Sequence, residues 1–92
     1  MYAIKITKGS DKNGNTTLTA SFKGKRIKET RYFSYSEFDQ MFVLCERIRD
    51  KLNEECDGYI YLLKLHSDEG VFQHSDTEYF ACIEAKSSKF EN

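Results

Sequence analysis

The sequence predicts a single α+β domain, with an antiparallel sheet of five to six strands and one long helix on one face of the sheet. Alternating apolar and polar residues before residue 34 predict strands, an apolar spacing of three and four then predicts a helix, and alternation beyond residue 58 predicts strands again. The expected order is β-β-(β)-α-β-β-β, in which the bracketed strand has the weakest pattern. We assign residues 1–86 to this domain and residues 87–92 to a flexible C-terminal tail.

The first strands are expected to pair as hairpins. Residues 2–7 and 18–22 alternate apolar with polar side chains. Residues 9–15 between them include glycine and asparagine, which tolerate a positive φ and let the chain reverse. Residues 23–25 offer a second turn, after which residues 27–33 predict the third strand.

A long amphipathic helix is predicted between Ser34 and Gly58. Ser34 and Glu37 have the spacing of a capping box, and Phe33 can pack on Phe38 as a hydrophobic staple. Gly58 suits the left-handed position that ends a helix. Apolar side chains recur at intervals that lay one stripe along the helix. This stripe consists of Phe38, Met41, Phe42, Cys45, Ile48 and Leu52.

Three short strands are predicted after the helix, at residues 59–66, 71–73 and 78–85, with a turn at residues 67–70. The first of them is apolar on both faces. Its side chains divide into Tyr59, Tyr61, Leu63 and Leu65 on one side and Ile60 and Leu62 on the other. Because one helix covers only one face, either the sheet curls and closes on itself, the tail covers the second face, or that face is an interface.

The interface interpretation predicts a set of partner-binding residues. Apolar anchors would come from the open sheet face and charge from the acidic surface of the helix. The residues are Ile60, Leu62 and Phe80 on the sheet and Glu46, Asp50 and Glu54 on the helix.

The net charge of −1 conceals an uneven distribution of charge. Residues 1–33 contain eight basic and two acidic side chains, a net +6, whereas residues 34–92 contain six and thirteen, a net −7. The near-neutral total excludes a uniformly basic nucleic-acid binder and a uniformly acidic mimic of nucleic acid. Two oppositely charged parts of neighbouring copies could also attract each other at low salt.

The densest basic run, residues 23–31, supports an alternative function in nucleic-acid binding. A turn followed by a strand can lie along a phosphate backbone. The candidate contacts are Lys23, Lys25, Arg26, Lys28 and Arg31. The competing interpretation is a solvated hairpin whose lysines prevent edge-to-edge aggregation.

No catalytic residue, metal or cofactor is expected, because the chain lacks phosphate-binding, dinucleotide, metalloprotease and nucleophile-elbow motifs. Cys45 and Cys56 lie eleven residues apart on one helix, about 16 Å along its axis, so they cannot share a metal ion. We expect Cys45 in the core, Cys82 packed within a strand and Cys56 at the surface. His66 and His74 flank an acidic turn, and the loop length decides whether they share a face.

The longest apolar stretch, residues 59–65, is too short to span a membrane, and we expect no secretory leader at the start of the sequence. Three cysteines cannot all pair within one chain. We therefore expect a cytoplasmic protein without a membrane partner.

Together these features predict a small non-enzymatic protein-binding module whose partner is another protein or a second copy of the chain. Proline-free α+β domains of this size without catalytic motifs are typical of phage and mobile-element accessory proteins that inhibit or regulate a host machine by binding it.

Overall fold

The computed structural model of the chain describes residues 2–55, 58–63 and 70–87. Within these residues, six strands form one antiparallel sheet, and a single helix lies against one face, which confirms the α+β class. The strands are β1 (Tyr2–Ser10), β2 (Thr16–Phe22), β3 (Lys25–Thr30), β4 (Tyr59–Leu63), β5 (Val71–Gln73) and β6 (Glu78–Ser87). Helix α1 (Glu37–Glu54) follows β3.

The sheet has the strand order β3-β2-β1-β6-β4, with β5 also paired to β6. β6 pairs with β1 along one side. Along its other side, β4 pairs with residues 83–87 and β5 with residues 79–81. β4 and β5 therefore occupy the same edge of β6, one after the other.

The turn between β2 and β3 is a two-residue hairpin loop formed by Lys23 and Gly24. Both residues have a positive φ, 48° and 79°, which is the signature of the type I′ turn that matches the twist of paired strands. β3 ends at Thr30 and does not continue to Phe33, because the backbone N–H of Tyr32 donates to the side chain of Gln40 at 2.8 Å and the chain turns toward the helix.

Helix α1 begins two residues later than predicted, so the predicted cap Ser34 is wrong. The N-cap is Ser36, whose hydroxyl accepts a hydrogen bond from the N–H of Asp39 at 3.1 Å. The predicted staple is also wrong, since Phe33 is 90% exposed. Phe38 instead lies edge-on to the ring of Tyr79, with 6.1 Å between ring centroids.

The buried side of α1 is rotated from the predicted stripe. Phe38 and Phe42 are exposed, whereas Gln40 and Leu44 are buried. Gln40 lies against the end of β3, where its Nε2 donates to the carbonyl oxygen of Thr30 at 2.9 Å. The core is formed by Ile4, Ile6, Leu18, Ala20, Ile27, Met41, Leu44, Cys45, Ile48, Leu52, Tyr61, Tyr79, Ala81 and Ile83.

The sheet curls around the helix, so that its two edges approach each other. Lys23, at the tip of the β2–β3 hairpin, donates from Nζ to the hydroxyl of Tyr61 in β4 at 3.1 Å. Lys25 forms an ion pair with Glu55, the C-cap of α1. The sheet is therefore concave on the face that packs against α1. No described element covers the opposite face.

Candidate functional site

The residues predicted to bind a partner lie on opposite sides of the sheet. Ile60 and Leu62 alternate with buried Tyr61, and Phe80 alternates with the buried residues of β6, so all three point away from α1. The predicted helix acids lie beyond the other face. The two groups therefore face in opposite directions, and partner binding by either group stays a prediction.

We call the side of the sheet away from α1 the outer face. It is apolar over β4, β5 and part of β6, where Leu62 is 41% and Phe72 is 52% exposed and where Ile60 and Phe80 are half-buried. Over β1, β2 and β3 it carries lysine, arginine and hydroxyl side chains. The predicted open apolar face thus occupies only one half of the outer face.

One row of cross-strand neighbours joins the two halves of the outer face. Each member is the direct register partner of the next, from Arg26 in β3 to Phe72 in β5. We call this the outer row, and it consists of Arg26, Ser21, Lys5, Phe80 and Phe72. It brings two cationic side chains and two aromatic rings into one line.

Three of the five residues predicted to contact nucleic acid make intramolecular contacts instead. Lys23 and Lys25 make the contacts with β4 and the helix C-terminus described above. Arg31 donates to the carbonyl oxygen of Tyr32 and lies over the ring of Phe33, 5.8 Å from its centroid. These three cations therefore hold the curl and the β3–α1 connection.

The other two, Arg26 and Lys28, are exposed on the outer face. Among the described residues, no carboxylate lies within ion-pair distance of either side chain. Lys5 of the outer row is paired, with its Nζ 2.8 Å from Glu78 Oε2. Within the basic segment, three cations thus make intramolecular contacts, and Arg26 and Lys28 remain accessible to a ligand.

A surface that the sequence analysis missed surrounds the beginning of α1. Six of the nine large apolar side chains exposed in the described residues fall within residues 32–43. We call them the aromatic surface, which consists of Tyr32, Phe33, Tyr35, Phe38, Phe42 and Val43. The sequence pattern assigned Phe38 and Phe42 to the core, since an apolar spacing of three and four cannot show which way a helix faces.

Acidic side chains run along the solvent side of α1 beside this surface. We call Asp39, Glu46, Asp50 and Glu54 the acidic stripe, because their intervals of seven and four place them on one side of a helix. Arg49 Nη2 lies 3.0 Å from Asp50 Oδ1 and 3.8 Å from Glu46 Oε2. Arg47 is paired instead with Glu29 of β3, so the stripe keeps an excess of negative charge.

The start of α1 is fixed to the sheet through Glu37. Lys8 Nζ lies 2.9 Å from Glu37 Oε2, and the hydroxyl of Tyr79 donates to Oε1 at 3.2 Å. The hydrogen bond to Glu37 raises the pKa of Lys8, and burial raises the pKa of Tyr79. These groups therefore stay protonated near neutral pH and serve as anchors beneath the aromatic surface.

The described residues contain no cluster of three or more histidine, cysteine or acidic side chains that could hold a metal ion. His66 and Cys56 lie outside the described residues, and His74 is exposed with its ring edge-on to Phe80 at 5.7 Å. Cys45 is buried, as predicted, and burial raises its pKa to about 12. Cys82 is half-buried in β6 on the outer face.

Within the part of the chain that the structure describes, no helix is long and apolar enough to cross a membrane. Comparison with protein-family models, with curated proteins and with solved structures finds no match to this chain.

Proposed function

We propose that the protein is a non-enzymatic protein-binding module that binds its partner through the aromatic surface and the acidic stripe. The observation that carries this proposal is the concentration of six exposed large apolar side chains within residues 32–43. Contiguous exposed apolar surface is costly in water, and on soluble proteins it typically marks an interaction site.

The residue types favour a protein as the partner. Aromatic side chains are enriched among the residues that dominate the energetics of protein interfaces, because they bury a large area and lose few rotamers. The aromatic surface supplies five such rings. Two of them, Tyr32 and Tyr35, also carry hydroxyl groups and pack edge to face at 6.5 Å.

The acidic stripe defines the chemistry of the partner. Asp39 and Glu46 lie about one turn before and after Phe42 and Val43, and Asp50 and Glu54 continue the stripe toward the end of α1. Arg49 pairs with Glu46 and Asp50. A complementary surface would present an apolar centre with lysine and arginine at its rim, because opposite potentials speed association and disfavour wrong partners. A small domain that binds such a surface acts by occupying it, which supports inhibition or regulation of the partner, as in phage and mobile-element accessory proteins.

The test compares two variants that remove aromatic area from opposite sides of the molecule. Phe33→Ala/Phe42→Ala alters the aromatic surface, and Phe72→Ala removes an exposed ring from the outer face. Immobilised wild type and variants are exposed to native cell extract, and the affinity of each retained protein is then measured.

We expect the wild type and Phe72→Ala to retain the same protein, and the double variant to bind it about 30-fold more weakly or worse, as for loss of an interface hot spot. Raising the salt concentration should weaken binding further. Equal retention by both variants, or no protein retained by the wild type, would overturn the proposal.

A further inference from the structure

We infer that the outer face binds a single strand of nucleic acid, with phosphates on β1–β3 and bases on β5–β6. The inference rests on the outer row, in which the register of four strand pairings places Arg26 and Lys5 in line with Phe80 and Phe72. A positively charged track beside exposed aromatic rings is the combination that single-strand binding requires.

The phosphate side of the row is formed by cations and hydroxyls on neighbouring strands. Lys28 lies next to the outer row, opposite Thr19, and Ser21 lies between Arg26 and Lys5. Hydroxyl groups and cations are the side chains that contact phosphate oxygens most often. Lys5 is paired with Glu78, whereas Arg26 and Lys28 have no carboxylate at ion-pair distance among the described residues, so a phosphate can reach these two without displacing one.

The stacking side of the row is formed by two directly opposed rings. Phe72 of β5 and Phe80 of β6 are register partners, and Phe72 is 52% exposed. The ring of His74 meets Phe80 edge-on at 5.7 Å and supports it from the side. Every base has a flat face that can stack on such a ring, so this arrangement predicts binding with little sequence preference.

The dimensions of the row suit a short strand. Five strands at about 4.8 Å spacing place Arg26 about 19 Å from Phe72, which spans a few nucleotides. A duplex would hide its base faces from Phe72, which therefore favours an unpaired strand. The acidic stripe lies beyond the opposite face, so its charge repels the strand from the helix side and favours the outer face.

The test uses a fluorescently labelled twelve-nucleotide thymidine or uridine oligomer and measures fluorescence anisotropy at low salt and through a salt titration. The variants are Phe72→Ala, Arg26→Ala and Lys28→Ala, all at exposed positions. Lys12→Ala in the β1–β2 turn removes the same charge from an exposed lysine away from the row. Circular dichroism checks that each variant is folded.

We expect Phe72→Ala to weaken binding roughly 5- to 150-fold, the range for loss of one stacked base. Arg26→Ala and Lys28→Ala should each reduce the slope of log K against log salt by about 0.7, the value for one phosphate contact of a single strand. Lys12→Ala should bind as the wild type does.

Three results would overturn the inference. The first is no binding of either oligomer at low salt, and the second is equal loss in Lys12→Ala and in the outer-row variants. The third is that a second copy of the chain, and not a nucleic acid, binds the outer face. Sedimentation would then show that the wild type self-associates and that Phe72→Ala does not, while Phe72→Ala would leave the affinity for the nucleic-acid oligomer unchanged. A partner lost only in Phe33→Ala/Phe42→Ala would leave this inference intact, since that surface lies on the other side of the molecule.

Discussion

The carboxamide of Asn53 near the end of α1 binds both backbone polar groups of Tyr61 in the edge strand β4. The N–H of Tyr61 donates to Asn53 Oδ1 at 2.8 Å, and Asn53 Nδ2 donates to the carbonyl oxygen of Tyr61 at 3.2 Å. The side chain therefore takes the place of a neighbouring strand. Unpaired edge strands can pair with other chains, and this contact protects the edge at its centre.

Replacing Asn53 with alanine should destabilise the protein. The two lost hydrogen bonds leave the Tyr61 amide and carbonyl without these partners, at a cost of roughly 1–3 kcal/mol, from which the better helix propensity of alanine subtracts about 0.5 kcal/mol. Urea denaturation measures the loss, and hydrogen exchange should show faster exchange of the Tyr61 amide. The control, Asn13→Ala in the exposed β1–β2 turn, should change stability by less than about 0.5 kcal/mol.

The two serines before the helix should differ in their contribution to stability. Ser36→Ala removes the acceptor of the Asp39 N–H and should cost about 1 kcal/mol in the free energy of unfolding. Ser34→Ala removes a hydroxyl outside the helix and should change that free energy by less than about 0.5 kcal/mol. Chemical denaturation of the two variants side by side measures the difference, and the reverse order of effects would contradict the assignment of Ser36 as the N-cap.

Acid should destabilise the protein in part through the β1–β2 turn. The backbone N–H of Asn15 donates to Asp11 and lowers the pKa of its carboxyl, with further hydrogen bonds from the Asn15 side chain and the Asn13 N–H. Because the pKa of this carboxyl is lower in the folded state than in the unfolded state, its ionisation stabilises the fold. This stabilisation is fully present above the unfolded-state pKa of about 4, and it is lost as the pH falls through the folded-state pKa. Glu78, whose pKa is lowered by its hydrogen bond with Lys5, contributes in the same sense.

Asp11→Asn should therefore lower the Tm at neutral pH, and the difference from wild type should shrink as the pH falls through the lowered folded-state pKa of the Asp11 carboxyl. Thermal melts across this range measure the effect. Asp76→Asn removes the same charge from an exposed position. A difference that shrinks equally in Asp76→Asn would contradict the role of the turn.

The described cysteines should react with thiol reagents at very different rates. Cys45 is fully buried and has a pKa of about 12, so it supplies almost no thiolate, which is the reactive form. Cys82 is half-buried on the outer face and should react in the native state. In a Cys56→Ser background we expect one thiol to react with Ellman's reagent before unfolding and two in urea. Two thiols reacting at one rate in the native protein would contradict the buried position of Cys45.

The strands could be predicted because their period of two directly separates the buried side chains from the exposed ones. Ile4, Ile6, Leu18 and Ala20 are buried, as the alternation requires. The helix start was ambiguous, because Ser34 and Ser36 both precede an acidic residue by three positions. The ion pair of Glu37 with Lys8 joins residues distant in sequence, and local capping patterns carry no information about it.

The candidate surfaces were also hard to predict, because they depend on contacts between residues that are distant in sequence. The burial of Gln40 depends on its hydrogen bonds with residues at and just after the end of β3. The apolar pattern of the helix alone carries no information about these bonds. Once Gln40 faces inward, Phe38 and Phe42, each two residues away and about 200° around the helix, face solvent. The basic segment looked uniform, yet alternation along β3 sends Arg26 and Lys28 to the outer face, while Lys25 contacts the helix C-terminus.

The position of β6 has a consequence for how the protein forms in the cell. Among the described residues β6 follows every other strand and the helix, yet it lies inside the sheet, with β1 on one side and β4 and β5 on the other. During synthesis the ribosome releases β1–β3, α1 and β4 before the strand that joins them, so the sheet cannot be completed until β6 has emerged. Pairing residues 2–7 with residues 78–83 closes a long loop, and such contacts slow folding. Until β6 emerges, the nascent chain therefore exposes the edge of β1 with which β6 pairs, and chaperones have most opportunity to bind the chain during this interval.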